Sequence, residues 1–280
     1  MKKLLFALSF ILLTACSGDD LPKDYTEDNE NEMLTYIADN NLNAEKSDTG
    51  IYYVIDEEGT GDFPISSDIV KVNYTGYFTN GTIFTQSADN GTQLTLQKIL
   101  LGLAYGIPQF KTGGSGKIII PSKLAYGNSD YGSIPGGSVL IFDIELLAIY
   151  NDIDTANDAE IVDYLAENDL TDTAVKTDSG LYYIIEGDGT GESPTSSDNV
   201  TVAYKGYYTN GTIFDQSSVS GVSFNLQSVI KGWTEGIPYF KTGGSGKLLV
   251  PSSLGYGSDD YSTIPGGSVL VFDINLISID

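Results

Sequence analysis

The chain has 280 residues, 41% of them hydrophobic, with 38 acidic against 14 basic side chains and a net charge of −24. A surface of that sign repels phosphate, so nucleic acid is not expected as a partner. Histidine is absent, which removes imidazole as acid, base or metal ligand. The length predicts about two domains at roughly 100–200 residues each. The N-terminus opens with a positive Met1-Lys2-Lys3. An apolar run from Leu4 to Leu13 follows, ending in Leu13-Thr14-Ala15-Cys16. The run is too short to span a bilayer and suits a secretory leader.

Leu13-Thr14-Ala15-Cys16 resembles the lipobox of bacterial lipoproteins. The resemblance implies a signal peptide over residues 1–15, cleavage before Cys16 and lipid attachment there. Cys16 is the sole cysteine, so no disulfide forms within the chain. Ser17 stands where a retention signal would carry Asp, which favours the outer membrane. Gly18-Asp19-Asp20 resembles acidic tags that route some lipoproteins to the cell surface. Residues 16–30 are polar and acidic, include Pro22 and lack apolar period, so they read as a tether.

Met33, Leu34, Ile37 and Ala38 then show helical spacing. The same element returns 128 residues later, where Tyr36 to Leu42 matches Tyr164 to Leu170. From Gly50 onward the chain repeats at an offset of 130 without a gap. Positions 49–150 match their partners at 58 of 102 places. That period is far too long for a solenoid, whose repeats run about 20–50 residues. Each copy is therefore a whole domain, 31–150 and 151–280, joined by a linker over 151–157.

Within the second copy, Gly180 to Ile185 reads as an apolar strand. Val200, Val202 and Tyr204 alternate onto one face of another. Asn210-Gly211 predicts a two-residue hairpin turn, and Phe224 and Leu226 alternate again. Val229, Ile230 and Trp233 fall on one helical face, bounded by Pro238. Lys247–Val250 and Ser268–Leu276 read as buried strands. Strands around one short helix, each unit preceded by a further helix, predict an α+β fold of two tandem domains.

Two ligand motifs fail on inspection. Lys241-Thr-Gly-Gly-Ser-Gly-Lys247 has Lys241 where a phosphate loop needs its first Gly, and Leu248 where it needs Ser or Thr. It reads instead as a turn into the next strand. Asp152, Asp154 and Asp158 lack the Gly and distal Glu of a calcium loop.

The second copy orders Val202-Ala-Tyr-Lys-Gly206, Asn210-Gly-Thr-Ile-Phe-Asp215, Val229-Ile-Lys-Gly-Trp-Thr-Glu-Gly236, Pro251-Ser-Ser-Leu-Gly-Tyr-Gly257 and Ile264-Pro-Gly-Gly-Ser-Val-Leu-Val-Phe-Asp-Ile-Asn-Leu276. This run resembles the FK506-binding-protein family of peptidyl-prolyl isomerases over nearly the whole copy. The resemblance implies a proline pocket of Tyr204, Phe214, Asp215, Val222, Val229, Ile230, Trp233, Tyr256, Ile264 and Phe272, with Val222 as one wall and Phe224 as a further substrate-binding residue. Trp233 would be the floor, and Phe214 and Phe272 the walls. The N–H of Ile230 and the hydroxyl of Tyr256 would meet substrate carbonyls. Asp215 would sit near Tyr204 at the rim. Val222 is smaller than the usual residue there, and Ser258–Thr263 shows no clear match to the family's ring-stacking loop.

The first copy keeps Tyr74, Phe84, Tyr126, Ile134 and Phe142. It replaces Asp215 by Thr85, Trp233 by Leu103, Phe224 by Leu94 and Val222 by Thr92, so its pocket is expected to be weak or silent. The implied activity is cis-trans isomerisation of X-Pro bonds in unfolded or exported polypeptides. No cofactor or metal is called for, and the membrane is reached through the lipid. The alternative is a non-catalytic proline-peptide-binding or chaperone lipoprotein on the same scaffold.

Overall fold

The computed structural model describes residues 23–280. The leader, Cys16 and the expected tether up to residue 22 lie outside the described residues. No helix among those described is long and apolar enough to cross a membrane.

The first unit runs α1 (Thr26–Asp39), β1 (Glu45–Lys46), β2 (Tyr52–Glu58), β3 (Ile69–Phe78), β4 (Ile83–Gln86), β5 (Thr92–Thr95), α2 (Leu101–Gly106), β6 (Gly114–Ile120) and β7 (Leu140–Tyr150). The second repeats it as α3 (Ile153–Glu167), β8 (Val175–Lys176), β9 (Tyr182–Asp188), β10 (Asn199–Tyr208), β11 (Ile213–Gln216), β12 (Val222–Asn225), α4 (Lys231–Gly236), β13 (Gly244–Val250) and β14 (Leu270–Ile279). Each unit is one antiparallel sheet, ordered β1-β2-β6-β7-β3-β4 or β11-β10-β14-β13-β9-β8. The remaining short strand, β5 or β12, pairs with the long β3 or β10.

Each sheet buries both faces. On the inner face of the second, Val200, Val202, Leu248, Val250, Leu270, Phe272, Ile274 and Leu276 pack around α4. The outer face, carrying Tyr182, Ile184, Tyr207, Leu249 and Val271, is covered by Ile161, Tyr164 and Leu165 of α3. The period of two that puts Phe272 inside therefore puts Val271 outside.

Several sequence expectations change here. Helix α1 begins at Thr26, inside the expected tether, and α3 begins at Ile153, inside the expected linker. Both starts are polar, and short polar side chains at helix starts mimic coil in a sequence. Asp152, for example, caps α3 by accepting the Thr155 N–H at 2.8 Å. Each helix also hides an asparagine that polarity argued should be outside. Asn157 is 1% exposed. It donates to Gly267 O at 2.9 Å and accepts the Ser252 N–H at 2.7 Å. Asn29 does the same with Gly137 O and the Ser122 N–H. Leu34, read as apolar-face, is exposed, while Met33 is buried.

The Asn210-Gly211 turn is a longer hairpin than expected. Tyr208 N–H donates to Thr212 O, and Gly211 N–H to Tyr208 O. Gly211 alone adopts positive φ, at 84°. A two-residue turn of type I′ needs positive φ at both central residues, so Asn210 in ordinary backbone gives a three-residue loop instead. Lys241–Lys247 is a turn into β13, as expected, with Gly244 N–H donating to Lys241 O.

Beside the outer-face core, Asp273 accepts from Lys247 Nζ at 2.6 Å and the Tyr207 hydroxyl at 2.9 Å, and pairs with Lys205 at 3.0 Å. Burial alone would raise its carboxyl. The two lysines and the phenol outweigh that and hold it below the usual carboxylate range.

Asn157→Ala is expected to destabilise the second unit by about 2–4 kcal/mol in urea unfolding, because it strips two buried backbone groups of partners. An unchanged midpoint would contradict the anchoring role. Asp273→Asn tests the charge cluster. A depressed folded pKa contributes stability above the ordinary carboxylate value, about 3.9, that is lost as pH falls through the folded value. The variant should cost roughly 1–2 kcal/mol at pH 7, screening included. The gap should begin to narrow below about pH 4 and close only once the pH falls below the depressed folded value of Asp273.

Candidate functional site

Register builds the site in the second unit. Gly206 of β10 lies between Asp215 of β11 and Phe272 of β14. The Phe214 and Phe272 rings close over Gly206 from either side, with centroids 5.6 Å apart and planes at 88°. A Cβ at Gly206 would meet those rings at 2.7 and 2.9 Å, so the residue there must lack one. Tyr204, two residues earlier, shares their face.

Trp233, 4% exposed, is the floor. Tyr204, Phe224 and Phe272 stand edge-on to its indole at 5.0, 5.4 and 5.3 Å. Such edge-to-face pairs add to area burial by matching a positive ring edge to a negative face. The indole N–H is buried without a partner, the one side-chain donor so left among the described residues.

Polar groups gather at the rim. The Tyr204 hydroxyl donates to Asp215 Oδ2 at 2.6 Å. The other carboxylate oxygen of Asp215 accepts the Gln216 N–H at 2.8 Å. Burial, then the Asp215 carboxylate, pushes the Tyr204 phenol well above its ordinary range. It is therefore a neutral donor, fixed in direction. Tyr256 is partly exposed, and burial pushes its phenol up as well.

Val229, Ile230 and Trp233 all reach the core, but not on one helical face. Ile230 is the extended cap of α4 (φ −60°, ψ 149°), and Val229 precedes it. The apolar spacing had two causes: a loop dropping into the core and a helix starting after it. The Ile230 carbonyl accepts from Trp233 and Thr234, while its N–H makes no backbone bond among the described residues.

Ile264 closes the site through a bridge to Tyr261. Tyr261 is the residue the sequence reading missed. Its ring stacks on Tyr256 at 4.8 Å and 16°, so a stacked ring does come from Ser258–Thr263, where the sequence showed no clear match. Its recurrence as Tyr131, stacked on Tyr126 at 4.5 Å, was the available signal. Val222, by contrast, is 43% exposed and borders the site rather than walling it.

In the first unit Phe84 and Phe142 keep the perpendicular pair, at 5.7 Å and 88°, and Tyr74 lies 6.2 Å from Phe142. Ile134 is buried and bridges Tyr131. Leu103 is the floor, Leu94 packs beside it, and Thr92 borders them. Thr85 offers Tyr74 no carboxylate.

The family described as FKBP-type peptidyl-prolyl cis-trans isomerase matches residues 61–147 and 190–277. These spans cover more than half of the chain, which belongs to that family. The chain is 42% identical over 141 residues to the FKBP-type peptidyl-prolyl cis-trans isomerase FkpA of Aeromonas hydrophila, covering 49% of this chain and 51% of that one. It is 43% identical over 126 residues to the protein of the same name from Escherichia coli K12, covering 44% and 46%. The crystal structure of FkpA from Escherichia coli covers 44% of this chain and 60% of that one, at 34% identity and a TM-score of 0.41. The chain spans about half the length of these curated relatives.

Gly206→Ala should displace both ring walls and destabilise the second unit by about 1–3 kcal/mol. Because Trp233 is the only tryptophan and packs on Phe272, its emission should shift in the folded variant. Unaltered emission would show that Gly206 does not set the ring spacing.

Proposed function

We propose that the chain is a peptidyl-prolyl cis-trans isomerase acting on proline-containing unfolded or exported polypeptides, with catalysis in the second unit (151–280). The observation that carries this is the ring basin over Trp233, rimmed by a Tyr204 hydroxyl locked to Asp215. Rotation about a peptide bond meets a barrier of about 18–20 kcal/mol, because amide resonance must be broken. X-Pro bonds visit cis appreciably yet switch only in tens to hundreds of seconds. No bond is cleaved, so neither nucleophile nor metal is needed.

The imide carbonyl carries most charge separation when planar and less when twisted. A basin walled by Phe214, Phe272 and Trp233 withholds the water that favours the planar form. In this reading the Ile230 N–H and the Tyr256 hydroxyl take substrate carbonyls and hold the chain while the proline ring turns. Groups that fit the twisted bond better than the planar one lower the barrier. The Tyr204–Asp215 bond keeps the rim rigid, so that fit is present before substrate arrives.

The first unit (31–150, extended by its helix from Thr26) keeps the rings of Tyr74, Phe84 and Phe142 but has Leu94 for Phe224, and neither rim carboxylate nor floor indole. It is read as weak or silent in catalysis, and its retained rings suit proline-peptide binding. The leader and Cys16 support a lipid-anchored protein of the bacterial envelope, with the outer membrane favoured.

Exchange spectroscopy by NMR on a short X-Pro peptide tests this with the full chain. The wild type should accelerate exchange. Trp233→Leu and Asp215→Ala should each slow it roughly ten- to hundredfold, while Leu103→Ala changes it little. A wild type without acceleration would sink the isomerase reading. Loss of activity on changing Leu103 alone would move catalysis to the first unit.

A further inference from the structure

Four side chains of the first unit reach across to the second. Lys71 Nζ pairs with Asp163 at 2.6 Å. Asn90 donates to Glu167. Gln93 Nε2 donates to Ala156 O at 2.8 Å. Lys98 Nζ donates to Ser258 O at 2.6 Å and lies 4.0 Å from Asp259. Lys71, Asn90 and Gln93 line a cleft of about 1450 Å3 between the units, and Lys98 lies beyond its lining.

The internal repeat provides a control for these contacts. At the offset of 130, Lys71, Asn90, Gln93 and Lys98 correspond to Thr201, Ser220, Ser223 and Ser228. Every crossing side chain is long in the first copy and a short hydroxyl in the second, where the same face meets no further unit among the described residues. Shared fold requirements therefore do not explain these residues, and docking does.

Lys98 is the one that bears on chemistry. Its target, Ser258, begins the loop that joins Tyr256 to Ile264 and carries Tyr261. Within the second unit this loop is tied to its own return arm. Asp260 accepts the Gly266 N–H, and Gly267 N–H donates to Gly257 O. Tyr261 and Ile264 exchange backbone bonds, and Ser262 takes a positive φ of 54°, a conformation few non-glycine residues hold without support. The tip, Ser258–Asp260, is exposed.

Resting on the second pocket's proposed role, we propose that the first unit is a built-in brace for the rim loop of the second, with Lys98 as the positioning residue. It touches no substrate and acts by holding Ser258–Tyr261 beside Ser262, whose positive φ is carried by a glycine, Gly132, in the unbraced first copy, where Tyr126 and Tyr131 stack without such a contact. The pocket-poor copy thereby serves the pocket-rich one.

The test uses the full chain as wild type, Lys98→Met and Lys98→Arg. Hydrogen exchange is read at the amides of Tyr261, Ile264 and Gly267, and KM and kcat are read on an X-Pro peptide. A charged donor to a carbonyl at a half-exposed site predicts about three- to tenfold faster exchange in Lys98→Met. KM should rise by a similar factor with kcat nearly unchanged, and Lys98→Arg should restore both. Loop exchange in Lys98→Met equal to wild type would overturn the brace. Faster loop exchange in a wild-type background that shows no isomerisation would support the brace and leave only the isomerase reading to fall.

Discussion

One buried amide side chain in each unit holds the arrangement together. Asn157 reaches from α3 to both ends of the loop region that frames the pocket, Ser252 before it and Gly267 after it. The Pro251–Tyr256 approach and the Ile264–Gly267 return are thus fixed to a helix on the opposite face of the sheet. A carbonyl and an N–H are satisfied by one planar group at once, which no apolar residue and no hydroxyl could do at that separation. Asn29 repeats the device in the first unit, although that unit's pocket has diverged. The anchor therefore belongs to the fold, and the pocket depends on it.

From this anchor the site follows by register. The strands impose a two-residue alternation. That alternation brings Tyr204, Phe272 and the Gly206 gap to one face, and sends Tyr207 and Asp273 to the other. The inner face becomes an aromatic basin. The outer becomes a charge-and-phenol cluster in which Lys247, Tyr207 and Asp273 satisfy one another beneath α3. The ionic cluster helps hold the sheet on which the rings stand and has no path to a substrate in the basin.

Strands and rings were legible in the sequence because their signal is periodic and apolar. Val200, Val202 and Tyr204 could only share a face, and Phe214, Phe272 and Trp233 came in family order. What was not legible lay where polarity and position disagree. Asn157 and Asn29 sit in acidic stretches that read as linker and tether, since burial of an amide is visible only once its partners are in place. Val229 and Ile230 imitate a helical face because an extended cap and a helix start can present the same spacing. Asn210-Gly211 gave the hairpin but not its length, which depends on whether Asn210 itself adopts positive φ. Tyr261 was hidden by a loop of unfamiliar composition, although its repetition as Tyr131 marked it.

The two copies show which constraints can be relaxed separately. Exchanging Trp233 for Leu103 keeps a buried apolar floor, and exchanging Asp215 for Thr85 removes a charge that only the rim uses. Neither change touches the anchor, the glycine gap or the Ile-Pro-Gly-Gly turns, so the first unit keeps its fold with an altered pocket. Over the same sequence span, short hydroxyls at Thr201, Ser220, Ser223 and Ser228 correspond to long donors at Lys71, Asn90, Gln93 and Lys98. None of these side chains belongs to the apolar core of its unit. A duplicated domain can therefore lose rim chemistry and gain a docking face through independent sets of residues.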